Sequence, residues 1–203
     1  MPKKIAISEN GLVVEARKTA REMNLAERVN RILQTSALEL DGEAYLNNYE
    51  LNNGRSIKDF ILDKLRLNDK RKNIIYTNID TGEKISISSN SAGKLAGHYK
   101  YCEAYQKTIA HIPQIIKNMK FFEKMLADKQ NSKFNNYSYY ITNISMDGNP
   151  YVILSTVGYN KYGIYYDQNV FKGTVYEVFT RAKNKTNDPK YSRLSEILKD
   201  TDI

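Results

Sequence analysis

Four side chains near the middle of the chain have the types and the spacing to handle a phosphate. Ser91, Lys94, His98 and Tyr101 follow one another at intervals of three, four and three residues. At about 100° per residue an α-helix gathers such positions into one stripe, so a hydroxyl, an ammonium, an imidazole and a phenol share a face. An imidazole with an unperturbed pKa of about 6.5 exchanges protons near neutrality, and an ammonium offsets phosphate charge. A serine in the first turn can hold a phosphate with help from the exposed amides. The plainer reading is that Ser91 caps the helix and the stripe is solvated. His111 stands thirteen residues from His98 and points elsewhere around the helix. Two histidines facing apart and one cysteine, Cys102, predict no metal site and exclude an intramolecular disulfide. The sequence holds no phosphate-binding glycine loop, HExxH pair or nucleophile elbow, so no cofactor is expected.

The stripe begins where a strand pattern gives way to a helical one. Ile85, Ser86, Ile87 and Ser88 alternate as a strand does, and residues Ile74 to Thr77 supply a hairpin partner across a turn at Asp80 to Gly82. From Ser91 the periodicity is helical to about Ala110. Proline removes an interior helical hydrogen bond but is welcome in a first turn, so a second helix is predicted from Pro113 to about Lys129. Strands are predicted at Tyr137 to Met146, Tyr151 to Val157 and Tyr162 to Asp167, with Asp147-Gly148 as a positive-φ turn. A fourth strand, Gly173 to Phe179, is expected to complete an antiparallel meander before a last helix near Pro189. Upstream, apolar residues fall at threes and fours from Ser8 to about Leu40, predicting helices jointed near Asn24. Residues Asp41 to Arg55 read as an irregular connection, and Ser56 caps a helix to about Leu67. The charged run Asn68 to Asn73 marks an expected boundary between a helical region, 1–72, and an α+β domain, 73–203.

Composition narrows the function classes. A chain of 203 residues with 41% hydrophobic content can bury a substantial core. A net charge of +8 and a pI near 9.3 suit a polyanionic partner. No apolar run approaches the roughly 18 residues of a membrane span, and Met1 to Glu15 lacks the apolar core of a signal peptide, so a cytoplasmic protein without membrane contact is expected. Tyrosine is overused, at sixteen residues, and eight of them fall between positions 137 and 166. Because strands alternate faces, Tyr139 and Tyr140 are not expected to share a core, and outward phenols could stack on bases beside Lys161, Lys172 and Arg181.

The region Ile74 to Phe179 resembles the barnase, EndoU, colicin and RelE-like nuclease superfamily, and within it the phage-associated domains of large polyvalent and head-morphogenesis proteins. The resemblance is carried by the stretch Asn78 to Ser88, the helix start at Ser91 to Lys94, the strands around Asp147-Gly148, and Tyr165-Tyr166-Asp167. It covers about half of the chain. It implies an α+β fold with a barnase-like domain, in which helices pack on a four-stranded or larger antiparallel sheet, and metal-independent RNA cleavage through attack of the ribose 2′-hydroxyl. Lys94 is then the phosphate cation, His98 the acid or base, and Ser91 a phosphate ligand, with Thr156, Tyr166 and Arg181 as further catalytic candidates and Lys161 and Lys172 as phosphate contacts. The meander departs from the barnase pattern in having no histidine and only Asp167 and Glu177 as strand carboxylates. The alternatives are an inactive module binding nucleic acid or a protein partner, and a phage structural or packaging accessory.

Overall fold

The computed structural model describes residues 5–7, 13–15, 19–40, 57–65, 73–98, 103–126, 134–160, 163–184 and 187–201. Two short strands, β1 (Ile5–Ile7) and β2 (Val13–Glu15), pair antiparallel, so this part of the expected N-terminal helix is corrected to a ladder. Helix α1 (Leu25–Leu33) follows, and Asn24 opens it rather than jointing two helices. The Asn24 side chain accepts the Glu27 amide at 2.9 Å while Glu27 accepts the Asn24 amide at 2.8 Å, a reciprocal cap. Strand β3 (Leu38–Leu40) and helix α2 (Ile57–Lys64) come next. The expected irregular stretch 41–55 and most of the charged run, residues 66–72, lie outside the described residues.

The hairpin of β4 (Ile74–Thr77) and β5 (Lys84–Ile87) forms as expected, with Gly82 at φ 69° in its turn. Helix α3 (Ser89–His98) covers the first part of the predicted helix, and residues 99–102 lie outside the described residues. Helix α4 (Glu103–Thr108), a 3₁₀ turn at Ile109–His111 and helix α5 (Ile112–Asn118), with Pro113 in its first turn, complete the run. The predicted helix beyond Pro113 then fails: Lys120–Leu126 is strand β6. Its register slips between Phe121 and Glu123. Phe121 and Phe122 are buried on opposite faces of the sheet, and this run of apolar residues disguised the strand as part of a helix. Strands β7 (Asn136–Met146) and β8 (Asn149–Asn160) join through Asp147 and Gly148 at φ 52° and 72°, and β9 (Gly163–Lys172) follows. The expected fourth meander strand is instead helix α6 (Val175–Asn184). Its start is a capping box: Glu177 accepts the Thr174 amide at 2.8 Å and donates its own amide to the Thr174 hydroxyl at 3.3 Å. Helix α7 (Ser192–Leu198) ends the described chain.

The main sheet has five strands and is mixed, which corrects the purely antiparallel expectation. Strand β7 pairs with β8 along one edge. On its other edge it pairs antiparallel with β6 over residues 136–141 and parallel with β3 over Ile144–Met146. Strand β9 is the far edge.

Both faces of this sheet are covered. Tyr140, Ile153, Val157 and Tyr166 belong to a core shared with Phe60 of α2, Leu95 of α3 and Ile115 of α5. The alternate residues Tyr139, Ile141, Leu154 and Phe171 belong to a second core with Val29 of α1, Phe179 of α6 and Leu194 of α7. Period-two alternation therefore buries Tyr139 (3% exposed) and Tyr140 (0%) on opposite faces, and neither phenol offers the outward stacking platform expected of one of them. Residues from before and after the expected boundary at 72 share both cores. No described helix is long and apolar enough to cross a membrane.

Candidate functional site

Helix α3 reaches the sheet through Ser91, Ala92 and Leu95, all 0% exposed, and this turns Lys94 outward. The Ser91 Oγ accepts the Tyr166 amide of β9 at 3.4 Å, so the hydroxyl expected to hold a phosphate instead ties the helix to the strand. A Cβ placed on Gly93 or Gly97 would meet nothing within 4 Å, so neither glycine is there for close packing.

His98, at the end of α3, meets the edge strand. Its Nε2 lies 3.4 Å from Asp167 Oδ2, with the two side chains 31% and 15% exposed. The Tyr105 ring sits 5.8 Å away, tilted by 40°. The hydrogen bond to Asp167 raises the imidazole pKa above its usual value; partial burial and Lys94 oppose that rise without cancelling it. Thr156 of β8 stands opposite Asp167 in the ladder and is half-buried. His98, Lys94 and Asp167 thus come together at one edge of the sheet, while Thr156, next to Asp167 on the inner strand, has no contact with the other two to place it in the site.

Beneath that edge runs a buried polar chain. The Tyr166 hydroxyl donates to Gln168 Oε1 at 2.9 Å and lies 3.2 Å from Ser155 Oγ. Gln168 Nε2 donates to Thr108 Oγ1 at 2.6 Å, and that hydroxyl donates to the Tyr105 carbonyl at 2.7 Å. Tyr166 is completely enclosed, and burial pushes its pKa up, so the phenol stays protonated. It supports the site from below and is out of contact with solvent.

The other candidates lie elsewhere. Arg181 donates to the Lys172 carbonyl at 2.9 Å beside the start of α6, where a Cβ on Gly173 (φ 121°) would come within 2.8 Å of Glu177 Oε2. Lys161 and Tyr101 lie outside the described residues.

A second polar cluster occupies the β4–β5 turn. Asn78, 0% exposed, donates to the carbonyls of Ile116 and Met119, both at 2.8 Å, and accepts the Thr81 amide and hydroxyl, both at 2.9 Å. Asp80 receives Arg31 through two nitrogens at 2.6 and 2.9 Å and the Phe121 amide at 2.9 Å. Glu83 accepts Arg21 at 2.6 Å and the Tyr140 hydroxyl at 2.5 Å. Burial first, and Glu83 second, raise the Tyr140 pKa. Here the carboxylates are filled by partners from α1 and its approach, from β6 and from β7.

Residues 51–166, more than half of the chain, match the family model of large polyvalent protein-associated domain 3. The chain belongs to that family. The match runs from before α2 to Tyr166, so it includes Ser91, Lys94, His98 and Thr156 and stops one residue short of Asp167. The Asn78 turn lies inside the matched region and its partners Arg21 and Arg31 outside it. The family description names an association with large polyvalent proteins and no activity. This is the polyvalent-protein group to which the sequence resemblance pointed. No curated protein and no solved structure matches the chain.

The residue that sequence reasoning left out of the site is Asp167. Its place on a predicted strand was recognised, but its pairing with His98, sixty-nine residues earlier, follows only from the docking of α3 on β9. Among the described residues no group of three or more His, Cys, Asp or Glu side chains gathers around a common point.

Proposed function

We propose that the α3–β9 edge is a phosphodiester site of barnase type that cleaves RNA without metal. The observation that carries the reading is the His98–Asp167 pair on an accessible edge. A histidine whose pKa is raised holds its proton to higher pH than a free imidazole, which favours the role of general acid over that of base. In the proposed step the ribose 2′-oxygen attacks phosphorus, its proton passes to solvent, and the bond from phosphorus to the 5′-oxygen breaks. His98 supplies the proton to the departing 5′-oxygen, leaving a 2′,3′-cyclic phosphate. Lys94 offsets the charge that builds on the phosphorane, and Asp167 holds the imidazole in place.

A second reading has its own support. Burial of Ser91 and Tyr166 removes two of the side chains that a nuclease of this type would use, and favours a module that binds RNA without cutting it. The test is incubation of the protein with mixed RNA in chelator. Cyclic-phosphate ends that disappear in His98→Ala, by about two to four orders of magnitude in rate at an unchanged melting temperature, support cleavage. Intact RNA with an affinity that falls steeply as salt rises supports binding alone. Neither cleavage nor binding at low salt would end both readings in favour of a protein-interaction module.

A further inference from the structure

Two neighbours of the His98 ring are fastened to one residue that the proposed reaction does not use. Asp167 presents Oδ2 to the imidazole, and its other oxygen, Oδ1, accepts the Gln168 amide at 2.9 Å. Tyr105, whose ring lies 5.8 Å from that of His98, is reached from the same residue through two further bonds. Gln168 Nε2 donates to Thr108 Oγ1 at 2.6 Å, and that hydroxyl donates to the Tyr105 carbonyl at 2.7 Å. One residue of β9 thereby holds a carboxylate on its own strand and the end of α4 that carries the aromatic ring.

Polarity dictates that residue 168 be an amide. The Thr108 hydroxyl spends its proton on the Tyr105 carbonyl and so needs a donor, whereas the Tyr166 phenol donates at 2.9 Å and so needs an acceptor. A side-chain amide offers both; a carboxylate accepts twice, and a thioether donates nothing. Gln168 and Thr108 are both 0% exposed, so solvent does not replace a lost bond between them. Buried bonds of this kind hold the groups above them in one arrangement. We infer that Gln168 is a positioning residue of the α3–β9 edge: through Thr108 it pins α4 against β9, so that the Tyr105 ring backs the imidazole of His98 and keeps its Nε2 turned to Asp167. The inference rests on the reading of His98 as the working group of that edge, but its consequence is a property of the folded protein before any RNA is bound.

The test follows the imidazole C2 proton of His98 by NMR against pH in the full chain, with His98→Ala to tell it from His111, the other histidine. The ionisable groups named around this ring are Asp167 on β9, Lys94 on its own helix and the phenol of Tyr105 on α4. Thr108→Val keeps the shape of the side chain, leaves all three in place and removes both bonds. The His98 midpoint should then lose most of its rise above the free value of about 6.5, with His111 unmoved. Thr108→Ser, which restores the hydroxyl, should bring the midpoint back. Gln168→Met and Tyr105→Leu interrupt the same line at two other points and should give the same fall, which decides the matter if Thr108→Val does not fold. An unchanged midpoint in the variants that fold overturns the inference, and so does a fall that Thr108→Ser shares. A wild type that cuts no RNA ends the nuclease reading alone, since the titration is measured without substrate.

Discussion

The turn of the β4–β5 hairpin and the edge where α3 meets β9 hold similar side chains and use them in opposite ways. At the turn, Asp80 and Glu83 are filled by two arginines, a backbone amide and a phenol, and Asn78 is completely enclosed. At the edge, Asp167 and His98 hold one another and keep part of their surface in water. A carboxylate saturated by its neighbours fastens elements together. One that leaves its partner accessible can serve chemistry at the surface. Carboxylates serve both places; what separates the two is the kind of partner, arginines at the turn and an imidazole able to exchange a proton at the edge.

The sharpest way to break the comparison is at Asn78. Its replacement by alanine strands two carbonyls and the half-buried amide and hydroxyl of Thr81, and should cost about 2–4 kcal/mol in denaturant unfolding. A loss below about 0.5 kcal/mol would mean that the turn fastens nothing. A smaller effect, about 1–2 kcal/mol, is expected for Arg31→Met, because Asp80 keeps the Phe121 amide and Lys120 when the arginine goes.

At the edge the expected effects on stability are smaller and depend on pH. The folded-state pKa of His98 is raised, so its pairing with Asp167 stabilises fully below the unfolded value of about 6.5 and fades as pH rises through the folded value. Partial exposure keeps the contribution under about 1 kcal/mol. Unfolding of wild type and Asp167→Asn should therefore differ more at pH 5.5 than at pH 8.5. A difference that grows with pH would show that the histidine is not the titrating partner. The smallest effect belongs to Lys107→Met, whose bridge to the exposed Asp147 spans 2.7 Å and should be worth about 0–0.5 kcal/mol by the same measurement.

Several elements were legible in the sequence because one local rule decided them. The β4–β5 hairpin, the Asp147-Gly148 turn and the proline-led α5 belong to this group. Strand β6 was not legible, because both faces of the sheet are covered and Phe121 and Phe122 are buried on opposite sides, which leaves an apolar run that also fits a helix. Helix α6 was missed because Val175, Tyr176, Val178 and Phe179 have strand propensity, although Thr174 and Glu177 spell the capping signal that overrides it. The faces of the central strands could not be assigned from pattern, since helices cover both and apolar residues occupy both alternations. For the site, helical spacing placed Lys94 and His98 together. It could not reveal that Ser91 turns inward, nor that Asp167 would arrive from a distant strand.

The divided edge of β7 also fixes an order of events in folding. Strand β3 pairs with Ile144–Met146 across more than a hundred residues of chain, and Arg28 of α1 bonds to Glu123 at 2.6 Å across a similar span. Val29 and Ile32 have no sheet to cover until β6 and β7 exist. The helix–turn segments and the β4–β5 hairpin close local loops and can form early, whereas docking of the N-terminal elements must wait for sequence made long after them. On the ribosome, α1 and β3 are thus made well before the strands on which they dock.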